Sequence, residues 1–283
     1  MDRPILIGDI GSTKSTWWFR TDKDHELHLQ GFNPVAHAPA QGKALFEQLR
    51  SETSGIDFEA VWYYGAGIID HHTRGIVQES GLHYFPEVTF HIQSDLTGAA
   101  VAACGHDEGV LIILGTGSHA AIWDGHKITR QATSLGYILG DEGGGCDIGK
   151  ALLQAYFYQE MPEVIAAEIT ALLPDGRTQM LQELQHSEVP NQYLASFAKV
   201  AVSFQQHEWI KALVADRIRL FIDRHLLPLK PEHDIHIVGS IGCIFAGLIG
   251  HELSLHRLSV GVLIRDPSRR LFERHMDYGR NEE

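Results

Sequence analysis

A short loop near the start of the sequence combines glycines, hydroxyl groups, a carboxylate and an ammonium group. It reads "GDIGSTK", in which Asp9 ends an apolar stretch and Gly11, Ser12, Thr13 and Lys14 follow. Glycines let backbone N–H groups approach a phosphate closely, and the hydroxyl and ammonium groups add donors and charge. A carboxylate beside such a loop suggests Mg2+. An ordinary hairpin turn explains the glycines but not Asp9 and Lys14, so the pattern favours phosphate binding.

Two further glycine loops follow apolar stretches later in the chain. "LGTGS" contains Gly115, Thr116 and Gly117, and "VGSIG" contains Gly239 and Ser240. The "LGTGS" loop repeats the design of the first loop, so together they favour one phosphate-bearing ligand over two plain turns. The small residues of "VGSIG" would let a flat ring lie against the backbone, although a tight strand-to-helix turn explains this loop better when it is taken alone.

A carboxylate with a different position occurs in "SDL", where Asp95 follows a predicted strand and begins a predicted helix. Such a carboxylate can accept the proton of a hydroxyl group that attacks a phosphoryl group. The alternative is helix capping, a common role for Asp. Ser94 could supply the cap instead, and the sequence leaves both possibilities open.

The elements that position these loops repeat in order along the chain. Three short apolar strands with a Gly/Ser/Thr turn between the first two come first, and helices alternating with strands follow; the same order restarts at "GVLIILGTGS". This pattern predicts an α/β protein with two duplicated domains, residues 1–105 and 106–265, and a ligand cleft between them. A last helix, at about 266–283 with Asp266 as its cap, could pack back on the first domain.

The charge and composition of the chain limit the kinds of molecule that it is expected to bind. The net charge of −13 argues against binding nucleic acid or an anionic membrane surface, and no apolar run is long enough to span a bilayer. The start of the sequence lacks the pattern of a signal peptide, and the three cysteines are scattered. These features predict a cytoplasmic protein in a reducing compartment.

Six motifs, taken in order, resemble those of the N-acetylglucosamine kinases within the BadF/BadG/BcrA/BcrD-type ATPase family. They are "GDIGSTK", "YGAG", "SDL", "LGTGS", "LGYILGDEGGG" and "VGSIG", and the resemblance extends from Ile5 to about Leu271. That family belongs to the superfamily of sugar kinases, heat-shock chaperones and actin. The resemblance implies two ribonuclease H-like (actin-like ATPase) domains, which agrees with the repeated element order. It also implies an enzyme that transfers a phosphoryl group from ATP to an aminosugar, and N-acetylglucosamine phosphorylated at its 6-hydroxyl fits best.

The resemblance assigns a role to each candidate residue. Asp9 organises Mg2+, and Asp95 is the general base and contacts the sugar. ATP is held by Gly11, Ser12, Thr13, Lys14, Gly115, Thr116, Gly117, Gly239 and Ser240. The aminosugar is bound by Asn33, Ser118 and Asp141, and a homodimer is compatible with the helical second half. One departure is Gly144, which stands where the family commonly has serine after "GDEG".

Two other functions remain open. An ATPase that activates a dehydratase through an iron–sulfur cluster would need ligands such as Cys104 and Cys146, but neither lies in a cysteine-rich motif. A non-catalytic sensor of nucleotide or sugar would not require Asp9, Lys14 and Asp95.

The stretch "GGCDIGK" at 144–150 reads as a nearly complete P-loop, G-x-x-x-x-G-K. A working P-loop requires Ser or Thr after the lysine, and here the residue is Ala151. The sequence therefore predicts a wall of the sugar site, in which Asp141 forms hydrogen bonds and Lys150 is a solvated side chain in the first turns of a helix.

Overall fold

A computed structural model describes residues 3–278 and divides the chain into two compact α/β units. The first unit runs from the N-terminus to His106 and resumes at Asp266, and the second is Asp107–Arg265. No helix within the described part of the chain is both long and apolar enough to cross a membrane.

The first unit has one five-stranded sheet with helices. Its elements are β1 (Ile5–Ile10), β2 (Lys14–Arg20), β3 (Asp24–Gln30), α1 (Pro39–Glu52), β4 (Ala60–Gly65), α2 (His71–Tyr84), β5 (Thr89–Ser94) and α3 (Asp95–Cys104). The strand order is β3-β2-β1-β4-β5, with β1, β2 and β3 antiparallel and β1, β4 and β5 parallel. Trp17 lies in the core, where its ring meets Phe46 and Tyr63 edge to face.

The second unit repeats this sheet and adds a larger helical region. Its elements are β6 (Glu108–Leu114), β7 (Ser118–Asp124), β8 (Ile128–Gln131), α4 (Gly136–Leu139), α5 (Gly145–Phe157), α6 (Glu163–Leu172), α7 (Gly176–His186), α8 (Pro190–Ser196), α9 (Ala198–Ser203), α10 (Glu208–Phe221), β9 (Ile235–Val238), α11 (Ser240–Ile244), α12 (Ala246–Leu255) and β10 (Val260–Ile264). A π-helical turn (Ile222–Leu226) and a 3-10 turn (Leu227–Leu229) extend α10. The final helix, α13 (Ser268–Tyr278), belongs to the first unit.

The duplication is visible in the strand order. The second sheet is ordered β10-β9-β6-β7-β8, so β6 takes the place of β1, and an antiparallel pair and a parallel pair flank it in the same way. The α/β class and the repeated sheet that the sequence predicted are therefore confirmed.

Parallel pairing decides where the candidate residues lie. In the first unit, Ile10, Gly65 and Ser94 are partners at the ends of β1, β4 and β5. Because the carboxyl ends of parallel strands meet at one edge of a sheet, the loops that follow these strands share that edge. In the second unit, Ile113 of β6 pairs with Val238 of β9 in the same way.

Candidate active site

The first glycine loop is a tight turn between β1 and β2. The Gly11 N–H donates to the Lys14 carbonyl at 2.9 Å, and the Gly31 N–H donates to the Thr13 carbonyl at 2.8 Å. Thr13 and Lys14 are exposed, and Ser12 is half-buried. Gly31 was not singled out from the sequence, but a Cβ there would lie 2.2 Å from the Gly11 carbonyl oxygen. Gly31 therefore lets the chain after β3 support the turn.

Asn33 lies against this turn. Its Nδ2 donates to Ser12 Oγ at 3.1 Å, and its Oδ1 accepts from the Val35 N–H at 3.0 Å. Gly67 has φ +75°, and a Cβ on it would meet Asn33 Oδ1. The first unit therefore brings a predicted sugar-binding residue into contact with a predicted phosphate-binding residue.

Asp9 lies on β1 among other carboxylates. Burial, together with the negative charges of Asp266 and Asp95, raises its pKa to about 7, and Lys14 opposes them. Asp266 was recognised in the sequence only as a helix cap, and its Oδ1 does accept from the Ser268 N–H at 3.0 Å. Its charge acts on Asp9 because the chain from Asp266 onwards, with α13, returns to the first unit.

The surroundings of Asp9 fit Mg2+. Mg2+ prefers oxygen ligands and is usually held by one or two carboxylates together with phosphate and water. Among the described residues, no group of three or more His, Cys, Asp or Glu side chains could hold a metal ion by itself. Asp9 would therefore hold the ion together with a phosphate group and water, and the positive charge of the ion would offset the repulsion from Asp95 and Asp266.

Asp95 is the first residue of α3 and is exposed. Ser94 caps the helix, since its Oγ accepts from the Thr97 N–H at 3.2 Å. The Asp95 Oδ1 accepts from the N–H of Leu96 at 2.8 Å. The structure thus resolves the question that the sequence left open, because the capping function belongs to Ser94.

The second glycine loop is a turn one residue shorter than the first, between β6 and β7. The Gly115 N–H donates to the Gly117 carbonyl at 3.0 Å, and the Thr116 carbonyl accepts from Cys146 at 2.8 Å. Gly239 has φ +110°, and a Cβ there would lie 2.5 Å from the Leu114 carbonyl oxygen. The "VGSIG" loop with Ser240 therefore packs directly on the "LGTGS" loop, as its glycine permits.

Asp141 and Ser118 meet beside this turn. Burial raises the pKa of Asp141, while a hydrogen bond from the Ser118 N–H and the charge of Lys150 oppose that effect. The Ser118 Oγ is buried and has no hydrogen-bond partner among the described residues. Asp141 also has φ +61°, an uncommon conformation for a residue other than glycine. Backbone strain and an unsatisfied hydroxyl are typical of binding sites.

The residues of the P-loop-like stretch pack against the second glycine loop and form a hydrogen bond to α4. Gly144 precedes α5, and a Cβ there would lie 2.7 Å from the Gly117 carbonyl carbon, which explains why serine is absent. Lys150 lies in α5, and its Nζ donates to the Tyr137 carbonyl at 2.6 Å. The expectation of a solvated Lys150 is therefore wrong, because a half-buried backbone acceptor binds the ammonium group.

Two cysteines are poor ligand candidates. Cys104 and Cys146 are both buried, and burial raises the pKa of the Cys146 thiol to about 11. A cluster ligand must be a thiolate, so this environment disfavours the iron–sulfur alternative.

Comparison with known proteins supports the fold. No family model and no curated protein matches the chain. Among solved structures, a candidate N-acetylglucosamine kinase from Porphyromonas gingivalis matches with a TM-score of 0.90 and 26% identity, over 97% of this chain and 99% of that one. The chain has an actin-like ATPase fold.

Two more distant structures share this fold. A candidate N-acetylglucosamine kinase from Chromobacterium violaceum matches with a TM-score of 0.77 and 15% identity, over 96% and 98% of the two chains. A glucokinase of the ROK family from Streptomyces griseus, in complex with glucose and AMPPNP, matches with a TM-score of 0.50 and 17% identity, over 93% of each chain. The motifs of the sequence resemble those of N-acetylglucosamine kinases. The match to the Porphyromonas gingivalis structure over 97% of this chain confirms that resemblance.

Proposed function

We propose that the protein is a kinase that transfers the γ-phosphoryl group of ATP to the 6-hydroxyl of an aminosugar, with N-acetylglucosamine as the preferred acceptor. The observation that carries the proposal is the position of Asp95. It is an exposed carboxylate at the start of α3, on the sheet edge that also holds the Gly11–Lys14 turn, while Ser94 caps the helix. The full-length similarity to the Porphyromonas gingivalis structure supports the same substrate class.

The residues of the first unit have two roles in the proposed reaction. Some neutralise the charge of the phosphates, and one accepts a proton. The turn with Ser12 and Thr13 offers hydroxyl donors, and exposed Lys14 offers a positive charge to the phosphates. Mg2+, held with the help of Asp9, would neutralise charge on the triphosphate. Asp95 accepts the proton of the attacking hydroxyl group.

The residues of the second unit supply the remaining contacts. Thr116 and Gly117 present backbone N–H groups to phosphate, and Thr116 adds a hydroxyl group. Gly115, whose N–H closes the turn, lets the backbone approach the phosphate closely. Gly239 and Ser240 contact the adenosine. Ser118 and Asp141 bind sugar hydroxyls. Such a contact would satisfy the buried hydroxyl of Ser118, which lacks a partner among the described residues.

The test is ADP release in the presence of N-acetylglucosamine, glucosamine, N-acetylmannosamine, N-acetylmuramic acid and glucose. We expect ADP only when a sugar is present and the highest kcat/KM with N-acetylglucosamine. Asp95→Asn should lower kcat by at least about a hundredfold and leave the affinity for ATP within about twofold, because the amide keeps the shape but cannot accept a proton. Near-normal turnover by Asp95→Asn would exclude Asp95 as the base, and ATP hydrolysis independent of sugar would contradict a sugar kinase.

A further inference from the structure

A small apolar patch lies at residues 135–139 of the second unit, which we call the apolar turn. Leu135 is 58% exposed, and Ile138 and Leu139 are each 72% exposed. Single exposed apolar side chains are common on protein surfaces, but three within five residues form a patch. The apolar turn includes α4, and the loop between α4 and α5, which contains Asp141, follows it directly.

The apolar turn is held in place. Tyr137 packs against the core of the second unit, and its carbonyl accepts the 2.6 Å hydrogen bond from Lys150 Nζ. The Gly140 N–H donates to the Gly136 carbonyl at 2.8 Å. A charge-assisted hydrogen bond from α5 therefore fixes a turn whose other three large side chains are left in solvent.

The apolar turn is continuous with the residues that the proposed function assigns to the sugar. Only Gly140 separates Leu139 from Asp141, and a Cβ on Gly140 would lie 3.2 Å from Leu135 Cβ. The Asp141 carboxylate contacts Gly117 and accepts the Ser118 N–H. The exposed apolar turn is thus adjacent in the chain to Asp141, which is bonded to the backbone of Ser118, and the Ser118 hydroxyl has no hydrogen-bond partner among the described residues.

We infer that the apolar turn contacts the acyl group of the acceptor and thereby selects acylated over unacylated aminosugars. This inference rests on the proposed function, in which Asp141 and Ser118 bind sugar hydroxyls. An acyl group has a methyl that gains free energy when apolar side chains remove it from water. The ammonium group of an unacylated aminosugar would be desolvated there and would lie near the positive charge of Lys150.

The test compares kcat/KM for N-acetylglucosamine, glucosamine and glucose in the double variant Ile138→Ser, Leu139→Ser. The matched control is Leu255→Ser, which replaces a 63% exposed leucine on α12. Burial of one methyl group predicts that the double variant loses about three- to tenfold of kcat/KM for N-acetylglucosamine. The values for glucosamine and glucose should change by less than about twofold, and the control should behave as the wild type. Lys150→Met, which releases the Tyr137 carbonyl, should lower the same preference.

An equal loss for all three sugars, or an unchanged preference in the double variant, would overturn the inference and leave the proposed function intact. Failure of the proposed function looks different, because the wild-type protein would then release no sugar-dependent ADP. If the wild-type protein releases no such ADP, the rate of amide hydrogen exchange in residues 134–140, measured with and without sugar, still tests whether the apolar turn contacts an acyl group. Slower exchange with N-acetylglucosamine but not with glucose supports it, and equal or absent protection contradicts it.

Discussion

Buried carboxylates differ in how neighbouring groups balance their charge. Burial alone would raise the pKa of Glu142, but hydrogen bonds from His225 and Arg224 hold it below its usual value. These bonds are 2.7 Å to His225 Nε2 and 2.6 Å to Arg224 Nη1. Asp9 has the opposite balance, because its neighbours include two other carboxylates. Glu142 is thus compensated within the chain, whereas Asp9 suits an external cation.

Replacement of Glu142 by Gln should destabilise the second unit. The amide keeps the volume but loses the charge that His225 and Arg224 bind, so we expect the free energy of unfolding to fall by about 1–3 kcal/mol in urea denaturation. Glu208→Gln is the control, since the Glu208 side chain is 86% exposed in its pair with Lys211 and should contribute little. Equal effects of the two substitutions would show that Glu142 has no special structural role.

Replacement of Asp9 by Asn should act on the metal requirement of the proposed reaction. The variant should need a higher Mg2+ concentration for half-maximal activity and should lose at least about tenfold in kcat, because one oxygen ligand is weakened. Titration of the activity with Mg2+ at fixed ATP measures this. Asp57→Asn, at an exposed carboxylate of the same unit, is the control. An unchanged Mg2+ dependence in Asp9→Asn would exclude Asp9 from the metal site.

At the scale of elements, glycines of α5 permit close contacts between segments. Gly149 packs on α8, where a Cβ would meet the Leu194 carbonyl oxygen. Gly144, which precedes the helix, packs on the turn that contains Gly117. The spacing of Gly144, Gly149 and Lys150, which resembles a P-loop in the sequence, therefore results from packing requirements at each position.

Alanine at position 149 should separate α5 from α8. The added methyl group overlaps a backbone carbonyl that cannot rotate away, so we expect a loss of about 1–3 kcal/mol in the free energy of unfolding. Gly247→Ala on α12 is the matched control, because no atom of another described segment lies within 4 Å of its Cβ position and alanine favours helix. The control should be neutral or more stable by up to about 1 kcal/mol. A stable Gly149→Ala protein would contradict the close packing of the two helices.

At the scale of the whole chain, the C-terminal helix completes the first unit. His275 of α13 lies 2.9 Å from Tyr64 Oη through its Nε2, and its ring is 4.6 Å from that of Trp62. Burial, together with the charge of His91, lowers the pKa of His275 to about 4. The helix is therefore docked around a histidine that remains neutral at physiological pH.

His275 should weaken the first unit in mild acid, whereas Asp9, with its raised pKa, acts in the opposite direction in the same pH range. In the unfolded chain His275 has its ordinary pKa near 6.5, so between that pH and about 4 the unfolded state binds more protons than the folded state. The contribution of His275 to the free energy of unfolding should thus fall as the pH falls through this window, by up to about 3 kcal/mol. Tryptophan fluorescence during urea denaturation at several pH values measures it. His275→Gln should remove this contribution, so its free energy of unfolding should rise relative to that of the wild type as the pH falls from about 6.5 to 4, whereas His256→Gln, at an exposed position, should follow the wild type. A parallel pH dependence in both variants would contradict this role of His275.

The sequence by itself determined the order of elements and the loops between them. Apolar runs, glycine loops and caps are local features, so the duplicated strand pattern and the turn at Gly11–Lys14 could be read from neighbouring residues. The same holds for the start of α13, where Asp266 precedes Pro267 and binds the Ser268 N–H. The roles assigned to individual site residues remain predictions, because they derive from motif resemblance.

Only the tertiary structure decided which distant groups share an environment. It placed the charge of Asp266 near Asp9, bound Lys150 to the Tyr137 carbonyl, and brought Arg224 and His225 to Glu142. It also assigned the cap of α3 to Ser94. Local patterns specify dihedral angles and side-chain faces over a few residues. Hydrogen bonds and charge interactions between distant segments form only when the packed elements bring those segments together. No short stretch of sequence contains both partners, so local patterns cannot predict such interactions.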